Sequence, residues 1–238
     1  MNEIAIVTAL CGDKEKLHNP TIIHSNADYH AFVSGDATKD TCWKFHRIHS
    51  FSNDSKYAKR RNAKAYKIMP QLFLPGYKFY IWVDVSHDVV ADPSFICNNL
   101  MNNKDWACFK HTQRNCIYDE AKILLELGYD HKDLLEKQID FYKSKGYPKD
   151  NGLFELSTFA IRNTHLTQNV GLKWWDNICR FSSRDQLSFM YSIWEGTERP
   201  LENNIAILPG FVNGFNKHGT IGNNDLIPQT RQHVSSGP

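Results

Sequence analysis

The stretch RRNAKAYKIMPQLFLPGYKFYIWVDVSHDVVADP, residues 60–93, decides the fold. Its first part reads as a basic helix. A short loop follows, and then an apolar run, Tyr80-Ile81-Trp82-Val83, ends abruptly in Asp84. Lys56, Arg60, Lys64 and Lys67 are spaced four, four and three apart. At 100° per residue they fall within an arc of about 80° on one helix face. The apolar run is too short for a helix and rich in β-branched and aromatic side chains, so it reads as a buried strand. An acid just past the carboxyl end of such a strand stands where open α/β sheets bind their ligands. A cationic stripe beside that acid points to a polyanion carried with a divalent metal, most simply a nucleotide diphosphate. Taken singly, each feature has a plainer reading: the stripe as a solvated helix face, the acid as a turn cap.

Composition narrows the classes. The 238 residues suit one large α/β domain, and 41% hydrophobic and 13% aromatic content can fill its core. With 28 basic and 26 acidic residues the net charge is only +2, which argues against a nucleic-acid partner. No stretch approaches 18 apolar residues, so no transmembrane segment is expected, and the start, MNEIAIVTALCGDKEK, lacks the form of a signal peptide. The six cysteines form no CxxC pair and read as reduced, mostly buried thiols, which fits a soluble cytoplasmic protein.

Ile4 to Leu10 reads as a central strand buried on both faces, with Thr8 and Ala9 at its carboxyl end. No GxGxxG follows it, so the dinucleotide fingerprint is absent. Further strands are expected at Tyr29–Val33, Trp43–Ile48, Trp106–Lys110, Leu153–Ile161 and Ile205–Leu208. Ser52, Asn53, Asp54 and Ser55 supply cap candidates for the basic helix, which Pro70 ends. Residues 117–145 read as a long helical stretch interrupted near Gly128. A helix is expected over Trp174–Phe181, and an amphipathic one opens at Ser182-Ser183-Arg184-Asp185-Gln186. Alternating strands and helices predict a single α/β domain over residues 1–222, its central sheet mostly parallel and flanked by helices. Residues 223–238 form a C-terminal tail expected to be flexible.

Several strings, RRNAKAYK, LF followed by YKFYIWVD, KHTQR followed by EA, KQIDFYKSKGY and WWDNICRFSSRDQLSF, together resemble a known family. It is the glycosyltransferase-like family found in plant mucilage-related proteins and in many bacteria, similar to fold-A nucleotide-sugar glycosyltransferases. The likeness runs over about residues 50–195. It implies transfer of a sugar from a nucleotide-diphosphate donor, uridine-linked, to a hydroxyl on a glycan or glycoprotein acceptor.

The resemblance also implies roles. Fold-A enzymes hold Mn²⁺ or Mg²⁺ against the donor pyrophosphate with an Asp-x-Asp, whereas here the string is Asp84-Val85-Ser86 and the second acid is missing. Asp84 and Ser86 become the expected metal ligands, with Asp88 as a substitute and the late His218 as a third. Arg60, Arg61, Lys64, Asp84, His111 and Arg114 are expected on the donor, and Glu155, Arg162 and Gln186 on the acceptor side; Thr8 and Ala9, outside the likeness, are expected on the donor as small side chains at a strand end that let a ligand ring approach. Asp185 is the expected catalytic base of an inverting transfer. Its spacing from Ser182 also fits a capping box, which would explain an acid there without chemistry. A sugar nucleotidyltransferase, or a non-catalytic module that binds nucleotide or glycan, remains an alternative. The second is favoured if Asp84 and Asp185 face different sides of the molecule.

Overall fold

The structure, a computed structural model, describes residues 2–12, 17–35, 41–52, 56–197, 203–209 and 229–230. His218, the boundary at residue 222 and the cap candidates Asn53, Asp54 and Ser55 lie outside the described residues, as does all of the tail except 229–230.

In chain order the strands are β1 (Ile4–Leu10), β2 (Asp28–Val33), β3 (Lys44–Arg47), β4 (Phe79–Val83), β5 (His87–Asp88), β6 (Trp106–Lys110), β7 (Phe154–Arg162), β8 (Ile205–Ile207) and β9 (Gln229–Thr230). The helices are α1 (Ala58–Ile68), α2 (Pro70–Phe73), α3 (Pro93–Phe95, running into a π-turn over Ile96–Leu100), α4 (Ile117–Glu126), α5 (Lys132–Ser144), α6 (His165–Arg180) and α7 (Asp185–Gly196). The main sheet has seven strands in the order β3-β2-β1-β4-β7-β6-β8, and β5 pairs with β9 in a separate ribbon.

β4 is buried along its whole length, and β1 all but its last residue, as expected of strands covered on both faces. One face packs Val7 and Trp82 under Tyr66 of α1, Trp174 of α6 and Phe189 of α7. The other packs Ile6, Ile81 and Val83 against Cys97 and Phe109. α6 passes so close to α1 that a Cβ on Gly171 would lie 3.2 Å from the Ile68 carbonyl oxygen, so only glycine fits this crossing without a shift.

The mostly parallel sheet has one reversed member. β1 runs parallel to β2 and β4, β2 to β3, and β6 to β8, while β7 is antiparallel to both β4 and β6. The carboxyl ends of the parallel strands therefore share an edge with the start of β7, and the end of β7 lies at the opposite edge. α6 begins at His165 rather than Trp174, because Thr164 caps it by accepting from the Thr167 N–H. Among the described residues no helix is long and apolar enough to cross a membrane.

Candidate active site at the carboxyl edge of the sheet

Asp84 follows β4 at this edge. Its Oδ1 accepts from the Trp82 indole N–H at 2.6 Å, and its side chain is 41% exposed. Extending the β1–β4 register, in which Val7 lies opposite Trp82, puts Ala9 level with Asp84 on the same face. Thr8 points to the other face, and its hydroxyl is fully buried without a hydrogen-bond partner.

The two acids converge on one lysine. Lys67 Nζ lies 2.6 Å from Asp185 Oδ2 and 3.7 Å from Asp84 Oδ1, while Lys64 Nζ is 2.8 Å from the same Asp185 oxygen. The stripe on α1 is thus not a solvated face, since Lys67 is only 2% exposed. Its ammonium sits 5.4 Å from the Trp82 ring centre and 5.7 Å from that of Phe159. Such aromatic faces favour a cation that has left water. Burial would raise the Asp185 carboxyl, but the two ammonium groups outweigh it and hold the group far below the usual carboxylate range. Burial lowers Lys64 to about 8 despite Asp185. For Lys67 the same penalty is outweighed by Asp185 and Asp84, so its value is raised. Of the pair, Lys64 is the one that gives up its proton.

The capping explanation of Asp185 fails. Ser182 donates its hydroxyl to Gln138 Oε1 at 2.5 Å, and α7 has no side-chain cap at its start. Instead the loop before α7 is pinned: Ser183 gives its N–H and hydroxyl to Asp130 Oδ2, and Trp174 donates to the Asp185 carbonyl. Arg60 Nη1 reaches into this corner, donating to the Tyr129 carbonyl at 2.7 Å and lying 3.8 Å from Asp130.

A second cluster stands beside the first. His111 follows β6, Glu155 is the second residue of β7, and Gln186 follows Asp185. His111 Nε2 lies 3.4 Å from Glu155 Oε1, and Gln186 donates to Glu155 Oε2 at 3.2 Å. Arg114 Nε donates to Glu120 Oε2 at 2.6 Å, and that oxygen is 3.8 Å from His111 Nε2. Burial, and then the neighbouring Glu120 charge, push the Glu155 carboxyl up to about 6 against the pull of Arg114. Burial lowers His111, which therefore stays neutral at neutral pH.

Besides Thr8, which faces the other side of the sheet, two expected site residues lie elsewhere. Arg61 is one position past Arg60 and so turned about 100° around α1. Its buried guanidinium donates to the carbonyls of Ile178 and Phe181 at the end of α6, where cations are favoured. Arg162 ends the reversed strand and pairs with Phe79, at the opposite edge from Glu155. It donates to the carbonyls of Asn102 and Lys104 and stacks 4.8 Å over the Phe79 ring. Lys67 belongs to the stripe expected from its i, i+3 spacing to Lys64, but its place between the two acids has no signal in the sequence, nor has the part played by Glu120.

The donor set bears on a metal as follows. Asp84 is the one acid facing this edge after β4. Asp88 is buried and accepts from the Thr21 N–H and hydroxyl, and the Ser86 hydroxyl lies 3.0 Å from His87 Nδ1. Among the described residues, the one group with three close-set ligand atoms is Cys116, Asp119 and Asp150, which does not include Asp84. One hard oxygen ligand fits a divalent cation that arrives with diphosphate and keeps its waters, rather than one caged by protein.

Relatives agree with this architecture. Mouse xyloside xylosyltransferase 1, in its apo form, superposes with a TM-score of 0.50 at 8% identity, over 87% of this chain and 84% of that one. The bifunctional glycosyltransferase WbbM, also apo, gives 0.50 at 12% identity, over 90% of this chain and 40% of its own. At these identities the likeness is one of fold, that of fold-A glycosyltransferases. The probable hexosyltransferase MUCI70 of Arabidopsis thaliana is 26% identical over 140 residues, 55% of this chain. The chain spans about a quarter of that relative's length, 24%. The model of the TOD1/MUCI70 glycosyltransferase-like domain matches residues 2–206, and the chain belongs to this family.

Proposed function

We propose that this glycosyltransferase takes its sugar from a nucleotide-diphosphate donor, uridine-linked, and passes it to a hydroxyl on a glycan or glycoprotein. The observation that carries the reading is the meeting of Asp84 and Asp185 on Lys67 at the edge where α/β sheets bind ligands. A non-catalytic module has no need of two buried ammoniums balanced on one carboxylate. Transfer does, because negative charge grows on the departing diphosphate and cations fixed in advance stabilise it without reorganising. Lys64 and Arg60 stand next to this corner and keep partial access to solvent, at 15% and 35% side-chain exposure, and they take that role. Ala9 leaves room beside Asp84 for a donor group.

Asp84 would hold Mn²⁺ or Mg²⁺ through its outer oxygen, with Ser86 as a weak second donor. The ion would neutralise part of the pyrophosphate charge. As a free base Asp185 does not suit its surroundings, since a carboxylate clamped by two ammoniums is a poor proton acceptor. Its work in this reading is to hold Lys64 and Lys67 in place, which makes it a positioning residue.

The test is a panel of nucleotide sugars screened by thermal shift, with and without Mn²⁺. One uridine-linked donor should raise the melting temperature by mass action, and slow release of UDP in the same mixtures would mark an enzyme. No shift across the whole panel would end this reading. A paired control separates the neighbouring arginines. Arg61→Ala should cost about 2–4 kcal/mol in urea melts, because two helix-end carbonyls lose a charged donor. Arg60→Ala should cost under about 1 kcal/mol but weaken UDP binding roughly tenfold by calorimetry.

A further inference from the structure

We infer that Glu155 is the group that takes the proton from the acceptor hydroxyl, with His111 beside it; this rests on the transferase reading above. Four observations carry it. Glu155 is the second residue of the reversed strand, so it stands at the edge that also holds Asp84, unlike Arg162 at the other end. It is joined to the Asp185 corner through Gln186, which donates to it at 3.2 Å. No ammonium or guanidinium pairs with it within 4 Å among the described residues, so it keeps the proton affinity that Asp185 has lost. Its side chain is 16% exposed, enough for a hydroxyl to reach it.

His111 stands beside the carboxylate. Its Nδ1 accepts from the N–H groups of Gln113 and Arg114, and its Nε2, 3.3 Å from Arg114 Nη2, lies 3.4 Å from Glu155 Oε1. In the step, the acceptor oxygen bonds to the anomeric carbon as that carbon's bond to the diphosphate oxygen breaks. The nucleoside diphosphate leaves with the bonding electrons, and the acceptor proton goes to Glu155. Glu120, Arg114 and Arg184 are the other charges acting on this carboxyl. Glu120 raises its proton affinity and the two arginines lower it. A base poised near working pH combines the ionised form with a useful pull on the proton.

Two measurements on the full chain test this. In urea or thermal melts without ligand, Glu155→Gln should be more stable than wild type at pH 7.5 by about 3 °C, with the difference shrinking as pH falls and nearly gone by about pH 4. The sign follows from the raised carboxyl: ionising it costs the folded state stability as pH climbs from 4.5 through about 6, and glutamine escapes that cost. A variant equal to or weaker than wild type at pH 7.5 overturns the inference whatever the substrate proves to be. With the donor found in the panel, UDP release to water should fall at least 100-fold in Glu155→Gln and lose its acidic limb near pH 6, with UDP affinity unchanged. Glu155→Asp should restore part of the rate. Turnover within threefold of wild type, or an unchanged acidic limb, also overturns it. If no donor binds wild type, the transferase reading falls first, and the role of Glu155 with it.

Discussion

Replacing Asp185 by asparagine is expected to remove about 3–5 kcal/mol of stability, which for a chain of this size lowers the melting temperature by roughly 6–20 °C. The size of the effect comes from what is left behind. Lys64 and Lys67 share one Asp185 oxygen at 2.8 and 2.6 Å, and neither ammonium has much access to water. A neutral amide cannot balance them, and an uncompensated buried charge is far more costly than a missing surface pair. Transfer should be lost as well, since Lys64 would no longer be held at the leaving group.

The pH dependence carries a sign that can be checked. Asp185 is held below its ordinary value of 3.8, so its contribution is present above that value and fades as acid protonates the carboxyl. Lys64 is lowered from 10.5 to about 8, so its charge penalises the folded state below about pH 8. That penalty is relieved as pH rises from there toward 10.5. The gap between wild type and Asp185→Asn should therefore be widest between about pH 4 and 8 and close on either side. Adding Lys67→Met to the variant should recover 0.5–3 kcal/mol, the usual range for coupled neighbours. A loss under 1 kcal/mol at pH 7, or one that does not vary with pH, would mean the cluster is open to water.

Much of this arrangement was legible in the sequence, and the rest was hidden for identifiable reasons. The run Tyr80-Ile81-Trp82-Val83 marks β4 because an all-apolar, β-branched and aromatic segment of that length has little choice but a strand covered on both faces. The four-residue spacing on α1 places Arg60, Lys64 and Lys67 on one face. It could not say that the face was buried, because spacing along the helix does not show that Trp82 folds back over Lys67, and Phe159 comes from a strand far away in the chain. Arg162 was misplaced for one cause. Leu153–Ile161 reads as a strand in either direction, and an antiparallel run sends its far end to the opposite edge. That same reversal brings Glu155 into the site. Arg61 shows the limit of a basic dipeptide: two adjacent arginines are a hundred degrees apart on a helix, and only packing decides which meets solvent. The reading of Asp185 as a cap rested on a local pattern, S-x-x-D, that tertiary contacts overrode when Gln138 took the serine hydroxyl.

Asp84→Ala should change UDP binding in opposite directions depending on the metal. With Mn²⁺ present, affinity is expected to fall on the order of 100-fold, since even residues that only support a metal's ligands change affinity 10–100-fold. With EDTA, the variant should bind UDP as tightly as wild type or more tightly. The reason is the ammonium behind the acid. Lys67 Nζ lies 3.7 Å from Asp84 Oδ1, and without a cation between them the exposed carboxylate repels an incoming diphosphate that the lysines attract. Deleting it removes the repulsion and leaves the attraction. The same geometry sets the order of binding. A lone carboxylate beside an ammonium is a weak cation site, so Mn²⁺ alone should give no measurable heat with wild type, while Mn²⁺ added with UDP should. Equal UDP affinities for wild type and variant in Mn²⁺ would remove Asp84 from the metal. Tight Mn²⁺ binding without nucleotide would show that further protein ligands complete the site.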